Sequence, residues 1–244
     1  VGQTNQNKMK KYSIGLLFFL LVTCLVNAQA LNGTSEKYKL ANGLEVIFME
    51  FGNLPVTSIT LYVDAGTKDE LPGMQGLADV TATSLLDGNA QYSMINQDAL
   101  MASISSGISS NANTNFTTLS GKFINTSIDL GMKLFSAIAL KPTFPKEQLS
   151  NAISQMITYN KPSKMDIADL ASVYSDFVVF GMGNPMGRHF YAEQLKKVNR
   201  DSVKLFYEFY YTPKNSKLVI SGKPEKEKLK VLIEKYFGPW KAVY

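Results

Sequence analysis

Along the chain, apolar positions recur with a period of two in some stretches and close to 3.6 in others, and the two patterns take turns. Residues 38–40 and 44–49 flank Ala41-Asn42-Gly43, which predicts a hairpin, because Asn-Gly accepts the left-handed backbone of a tight turn. Val56–Val63 predicts another strand, ended by Asp64-Ala65-Gly66. Over residues 73–86, Leu77, Val80, Thr81 and Leu85 fall at helical spacing, and Gly88-Asn89 stops the run. Residues 96–105 predict a second helix with Asn96 as its cap.

Residues 109–123 are polar but extended, and Phe116, Leu119 and Phe123 predict one strand at a sheet edge. Residues 125–140 read as an amphipathic helix with Leu130, Leu134 and Ile138 on one stripe. Lys141-Pro142-Thr143-Phe144-Pro145 breaks it, and Pro145 suits the start of a helix to Tyr159. A helix over 165–180, a Gly/Pro-rich loop over 181–187 and a helix over Arg200–Tyr210 follow. A buried strand over 217–221 and an amphipathic helix over 224–237 close the pattern. There is no internal repeat, and the mixture predicts an α+β fold: a mainly antiparallel sheet with helices packed on one face.

Composition narrows the class. With 244 residues, 45% hydrophobic and 18% charged, the chain has ordinary globular usage. Lys8, Lys10 and Lys11 supply three charges of the net +5, so the rest is nearly balanced and no nucleic-acid partner is expected. Those lysines open a leader: Met9-Lys10-Lys11, an apolar run from Ile14, then Val26-Asn27-Ala28. This is the plan of a signal peptide over residues 9–28, with residues 1–8 upstream of the start methionine and 29–244 forming one module. The apolar run is shorter than the roughly 20 residues of a membrane span, so no span is expected after cleavage; a retained anchor is the rival reading. The cysteine Cys24 lies inside this leader, where Thr23 and the continuing Leu25-Val26 argue against lipid attachment. Cleavage after Ala28 leaves a chain without disulfides or thiolate ligands, which suits a bacterial periplasm or cell envelope.

Candidate chemistry is sparse. One histidine, His189, sits in Met186-Gly187-Arg188-His189-Phe190 and reads as a loop residue. A catalytic zinc takes three protein ligands, often two of them His, and this chain cannot supply such a set. Nucleophile-elbow, phosphate-loop and dinucleotide-loop motifs are absent, and the many Ser and Thr between Ser103 and Ser120 have no evident base.

Several segments taken in order do carry a resemblance. Tyr38-Lys39-Leu40-Ala41-Asn42-Gly43-Leu44-Glu45-Val46, Leu61-Tyr62-Val63-Asp64-Ala65-Gly66, Gly76-Leu77-Ala78, Leu140-Lys141-Pro142-Thr143-Phe144-Pro145, Tyr211-Thr212-Pro213-Lys214-Asn215 and Lys235-Tyr236-Phe237-Gly238 together resemble the insulinase/pitrilysin metallopeptidase family. The resemblance implies the first of two such modules. In the family, His-x-x-Glu-His after Gly-Leu-Ala sets two His one helical turn apart on a zinc, with the Glu as base on the bound water. The corresponding positions are Asp79, Ala82 and Thr83, and the third ligand, a Glu on a later helix, falls at Tyr159. With one histidine in the chain no shift of register restores the motif, so no zinc or other cofactor is expected. The family's peptide-pairing edge strand corresponds to Ser110, Asn111, Ala112, Asn113 and Thr114. The implied role is a noncatalytic subunit or module that helps hold an extended peptide and supports a catalytic insulinase-family subunit or second module. An independent envelope peptide-binding protein and a peptidase with an unrecognised site are the alternatives.

Elemental analysis of the purified chain is expected to find far less than one zinc per molecule. Stoichiometric zinc that mutation of Asp79 removes would refute the reading of the motif.

Overall fold

The architecture comes from a computed structural model, which describes residues 35–161, 163–188 and 192–242. Strands β1 (Ser35–Lys39) and β2 (Glu45–Glu50) form the expected antiparallel hairpin. Its turn residue Asn42 accepts a bond from the Leu44 N–H (3.1 Å) and donates to the carbonyls of Phe237 (2.8 Å) and Trp240 (3.0 Å). One side chain therefore shapes the turn and also satisfies carbonyls left over at the end of the last helix.

β3 (Val56–Val63), β4 (Ile108–Ala112), β5 (Thr117–Ile124) and β6 (Ser216–Gly222) complete a six-stranded sheet in the order β1-β2-β6-β3-β5-β4. The antiparallel expectation holds except for one pair, since β2 and β6 run parallel, with Val46 opposite Leu218 and Phe48 opposite Ile220. The single edge strand expected over 109–123 is instead a hairpin. β4 is the edge, and β5 lies inside between β4 and β3. Its turn contains no Gly or Pro; the Asn113 carboxamide oxygen accepts from the N–H groups of Asn115 (2.8 Å) and Phe116 (2.9 Å) and bends the chain.

The helices are α1 (Leu77–Ser84), α2 (Met94–Ser103), α3 (Ile128–Leu140), α4 (Lys146–Tyr159), α5 (Ile167–Phe180), α6 (Ala192–Leu195), α7 (Arg200–Tyr210) and α8 (Lys226–Phe237). Alternate residues of the sheet (Val46, Ile59, Leu61, Leu119, Phe123, Leu218 and Ile220) are buried beneath them. The opposite face shows Tyr62, Lys122 and Lys217, so helices cover one face only. α3 is the main covering helix. Its Phe135 meets Phe123 of β5 edge-on and Phe237 of α8, each with ring centroids 6.4 Å apart.

Of the helix starts that differ from the sequence expectation, three do so for a capping reason. α1 begins at Leu77 rather than Gly73, because Gly76 takes a left-handed φ of 94° that no helical residue can hold. α2 is capped by Ser93, whose hydroxyl accepts from the Asn96 N–H, and not by Asn96 itself. α5 starts at Ile167 because Asp166 caps it, accepting from the Asp169 N–H at 2.8 Å. The leader and His189 lie outside the described residues. Among the described residues no helix is long and apolar enough to cross a membrane.

Phe135→Ala is expected to lower the free energy of unfolding by about 3–5 kcal/mol, the cost of a cavity between two fixed rings. Urea denaturation measures it, and a loss below about 1 kcal/mol would show that β5 and α8 close over the gap.

Candidate functional site

The loop from β3 to α1 builds the site. The Asp69 carboxylate accepts from the Gly66 N–H at 2.9 Å and folds the loop back on itself. The next residue, Glu70, reaches the start of α1. Its Oε1 accepts from the N–H groups of Gly76 (2.9 Å) and Ala78 (3.0 Å). Glycine at the cap position has no side chain to bond the first-turn donors, and Glu70 does so from a distance.

α1 is sunk into the core. Leu77, Ala78, Val80, Thr81, Ala82 and Ser84 are buried, so only Asp79 and Thr83 keep a free surface. These two stand four residues apart on one stripe, the geometry that would turn two imidazoles toward one ion. Their chemistry does not follow the geometry. Thr83 is exposed and neutral, and Ala82, at the position of the general base, is a buried methyl group. Tyr159 ends α4 with 74% of its surface exposed, and no hydrogen bond joins it to Asp79 or Thr83 among the described residues. From α4, Leu149 is buried in the core and Ile153, Met156 and Ile157 pack against it. The residues present therefore do not fit a zinc ion: one carboxylate, a hydroxyl and an exposed phenol stand where the resemblance puts two imidazoles and a carboxylate.

The carboxylates have been altered by their surroundings. Burial pushes Glu70 up to about 7, helped by the nearby Asp79 charge and opposed by its two backbone bonds and by Arg188. Burial likewise pushes Asp79 up to about 6. Beneath Asp79 lies Tyr211, wholly buried, whose phenol is raised far above its ordinary value by desolvation. The pair is thus a partly protonated, poorly solvated acidic spot.

The adjacent sheet edge is better provided. The β4–β5 turn is bolted to the loop before α1: the Thr67 and Lys68 N–H groups donate to the carbonyls of Asn113 (3.0 Å) and Thr114 (3.1 Å). Gly66 makes this approach possible, since a Cβ there would fall 2.2 Å from the Asn113 oxygen. Asn113 and Thr114 consequently belong to the turn and not to the open edge. Ser110, Asn111 and Ala112 lie on β4 itself. The Asn113 N–H bonds across the turn to Phe116 (3.0 Å), so strand alternation turns the backbone groups of Ala112 and Ser110 away from β5. Of the five residues that the sequence puts on one edge segment, Ser110, Asn111 and Ala112 lie on β4 and Asn113 and Thr114 do not; Glu70 was missed, and an acid ahead of a glycine-capped helix was its available signal.

Similarity to known proteins agrees with this geometry. Residues 197–244 match the family model described as the peptidase M16 inactive domain. A crystal structure of a peptidase M16 inactive domain from Pseudomonas fluorescens superposes with a TM-score of 0.77 at 20% identity, over 84% of this chain and 50% of that one. The chain thus resembles insulinase-type modules, and Asp79, Ala82 and Thr83 stand where that resemblance places the zinc motif. The fold is shared with a protease from Helicobacter pylori, with a TM-score of 0.77 at 16% identity over 87% of this chain and 52% of that one. At the sequence level the chain is 25% identical to the zinc protease PqqE of Helicobacter pylori, over 94% of this chain and 54% of that protein. The chain spans about half the length of the relatives it matches.

The raised carboxylates give a signed pH dependence. Between its ordinary value of 4.5 and about 7, folded Glu70 holds a proton that the unfolded chain has released. Stability from this group is therefore present at low pH and is lost as pH rises, by at most about 1.4 kcal/mol per unit. Between pH 5 and 7.5, wild type is expected to lose about 2 kcal/mol relative to Glu70→Gln in urea unfolding. Parallel curves for the two proteins would show that Glu70 ionises freely.

Proposed function

We propose that this module is the noncatalytic half of an insulinase-type peptidase assembly, presenting the β4 edge to an extended peptide while a partner module or subunit supplies the catalysis. One juxtaposition carries the reading. An unpaired strand edge lies beside α1, whose free stripe holds Asp79 and Thr83 where the family has its metal ligands. Strand addition requires backbone donors and acceptors and no metal, so it outlives the loss of imidazole ligands. The side chains along β4 suit a sequence-tolerant contact: Ser109 and Asn111 are exposed, and no large residue blocks the edge. The leader over residues 9–28 supports a location in the bacterial periplasm or envelope.

Ala112→Pro tests the peptide edge. It removes one outward N–H at an edge position that tolerates proline, and leaves the ladder to β5 intact. With a fluorescein-labelled unstructured peptide, anisotropy is expected to show binding to wild type that weakens roughly tenfold or more in the variant. Equal affinity in the two proteins, both folded by circular dichroism, would remove β4 from the account.

A further inference from the structure

α5 is as apolar as α3, yet none of its residues is fully buried. Nine residues of α3 are buried, whereas no residue of α5 is. Ile167 is 88% exposed, Val178 77%, Val179 69% and Tyr174 61%. Ile167, Tyr174 and Val178 share one helical stripe, and the parallel stripe of Leu170, Val173, Phe177 and Phe180 is only partly shielded. A 14-residue helix has marginal stability alone in water, and an apolar stripe of this length is rarely left in solvent.

The helix is nonetheless firmly built at its end. The Gly181 N–H bonds to Phe177 (2.9 Å), and Arg188 donates from Nη2 to the Gly183 carbonyl (2.9 Å), clasping the turn that follows. Gly187 packs so closely that a Cβ would fall 2.3 Å from the Gly181 carbonyl oxygen. This turn leaves Met182 and Met186 exposed and rests against Thr67–Asp69. Asp69 in turn lines an apolar cleft with Leu71, Leu205 and Phe209. The apolar surface thus continues from α5 past the methionines to the outer side of α7.

Each relative carries, beyond the part matched by this chain, a further length about as long again. We infer that α5 and the Met182–Met186 turn are the docking face for that companion, a second insulinase-type module, whether joined to this chain or separate. The inference rests on the functional reading above only in requiring a companion module; it is independent of peptide binding at β4. The flexible methionines fit a surface that must mould to a partner, and the apolar stripe supplies the desolvated centre that interfaces require.

Val178→Lys and Ile167→Glu test this. Both sites are exposed, and each charge sits at the helix end whose dipole favours it, so the lone chain is expected to keep its melting temperature. Affinity-tagged wild type, bound to the envelope fraction of its own cells, is expected to retain an insulinase-type module identified by mass. Either variant is expected to retain roughly tenfold less, while both still bind the labelled peptide. Equal recovery with wild type and variants would overturn the assignment, as would absence of any such module from the wild-type eluate. A mass-doubled wild type that the variants return to monomer would give the face to a second copy, and vesicle binding that the variants abolish would give it to lipid; both outcomes overturn the proposal. Loss of peptide binding alone would strike the functional reading and leave this one standing.

Discussion

The placement of β6 governs the structure. This strand comes from the far end of the chain, yet it lies between β2, to which it is parallel, and β3, to which it is antiparallel. Its backbone groups are satisfied on both sides by strands laid down more than a hundred residues earlier, so the sheet is incomplete until Ser216–Gly222 is in place. The buried residues Leu218 and Ile220 then join Val46, Phe48, Ile59 and Leu61 into one apolar floor on which α1, α3 and α8 rest. Asn42 strengthens the closure by holding the end of α8 against the first hairpin. The cost of such distant pairing is mostly loop-closure entropy, which rises slowly with length and is offset by the area buried.

On this floor, α1 has the shape that the resemblance expects of a metal-binding helix, without its chemistry. α1 is held by Glu70 at its start and by apolar burial along its length, and neither support involves an ion. The free stripe can therefore change freely, and here it carries Asp79 and Thr83. What remains is a scaffold with a raised pair of acids and an open strand edge beside it.

Much of this was legible in the sequence, because local patterns report local structure. The alternation in Val56–Val63 and the helical spacing in Arg200–Tyr210 correspond to β3 and α7 at their observed bounds. Elsewhere the signal was ambiguous or nonlocal. Ser93 and Asn96 are both capping residue types three positions apart, and only the Ser93 hydroxyl has the donor in reach. The β4–β5 turn lacks Gly and Pro, and its bend comes from the Asn113 side chain imitating a backbone acceptor. The parallel pairing of β2 with β6 depends on the whole path between them, which no window of sequence contains. In the candidate site, Asp79, Ala82 and Thr83 could be placed because they share one short helix. Tyr159 could not, since counting along the chain says nothing about which side of α4 meets α1.

The clasp between Gly66 and the Asn113–Thr114 carbonyls has a mechanical consequence. The tip of the hairpin and the segment that ends at Glu70 are riveted into one rigid piece, with no room for even a methyl group between them. A tug on the outer strand is therefore not absorbed at the tip but passes along the rivet to the mooring of α1. Any substitution that loosens the rivet would let strand and helix drift apart, whatever residues the helix displays.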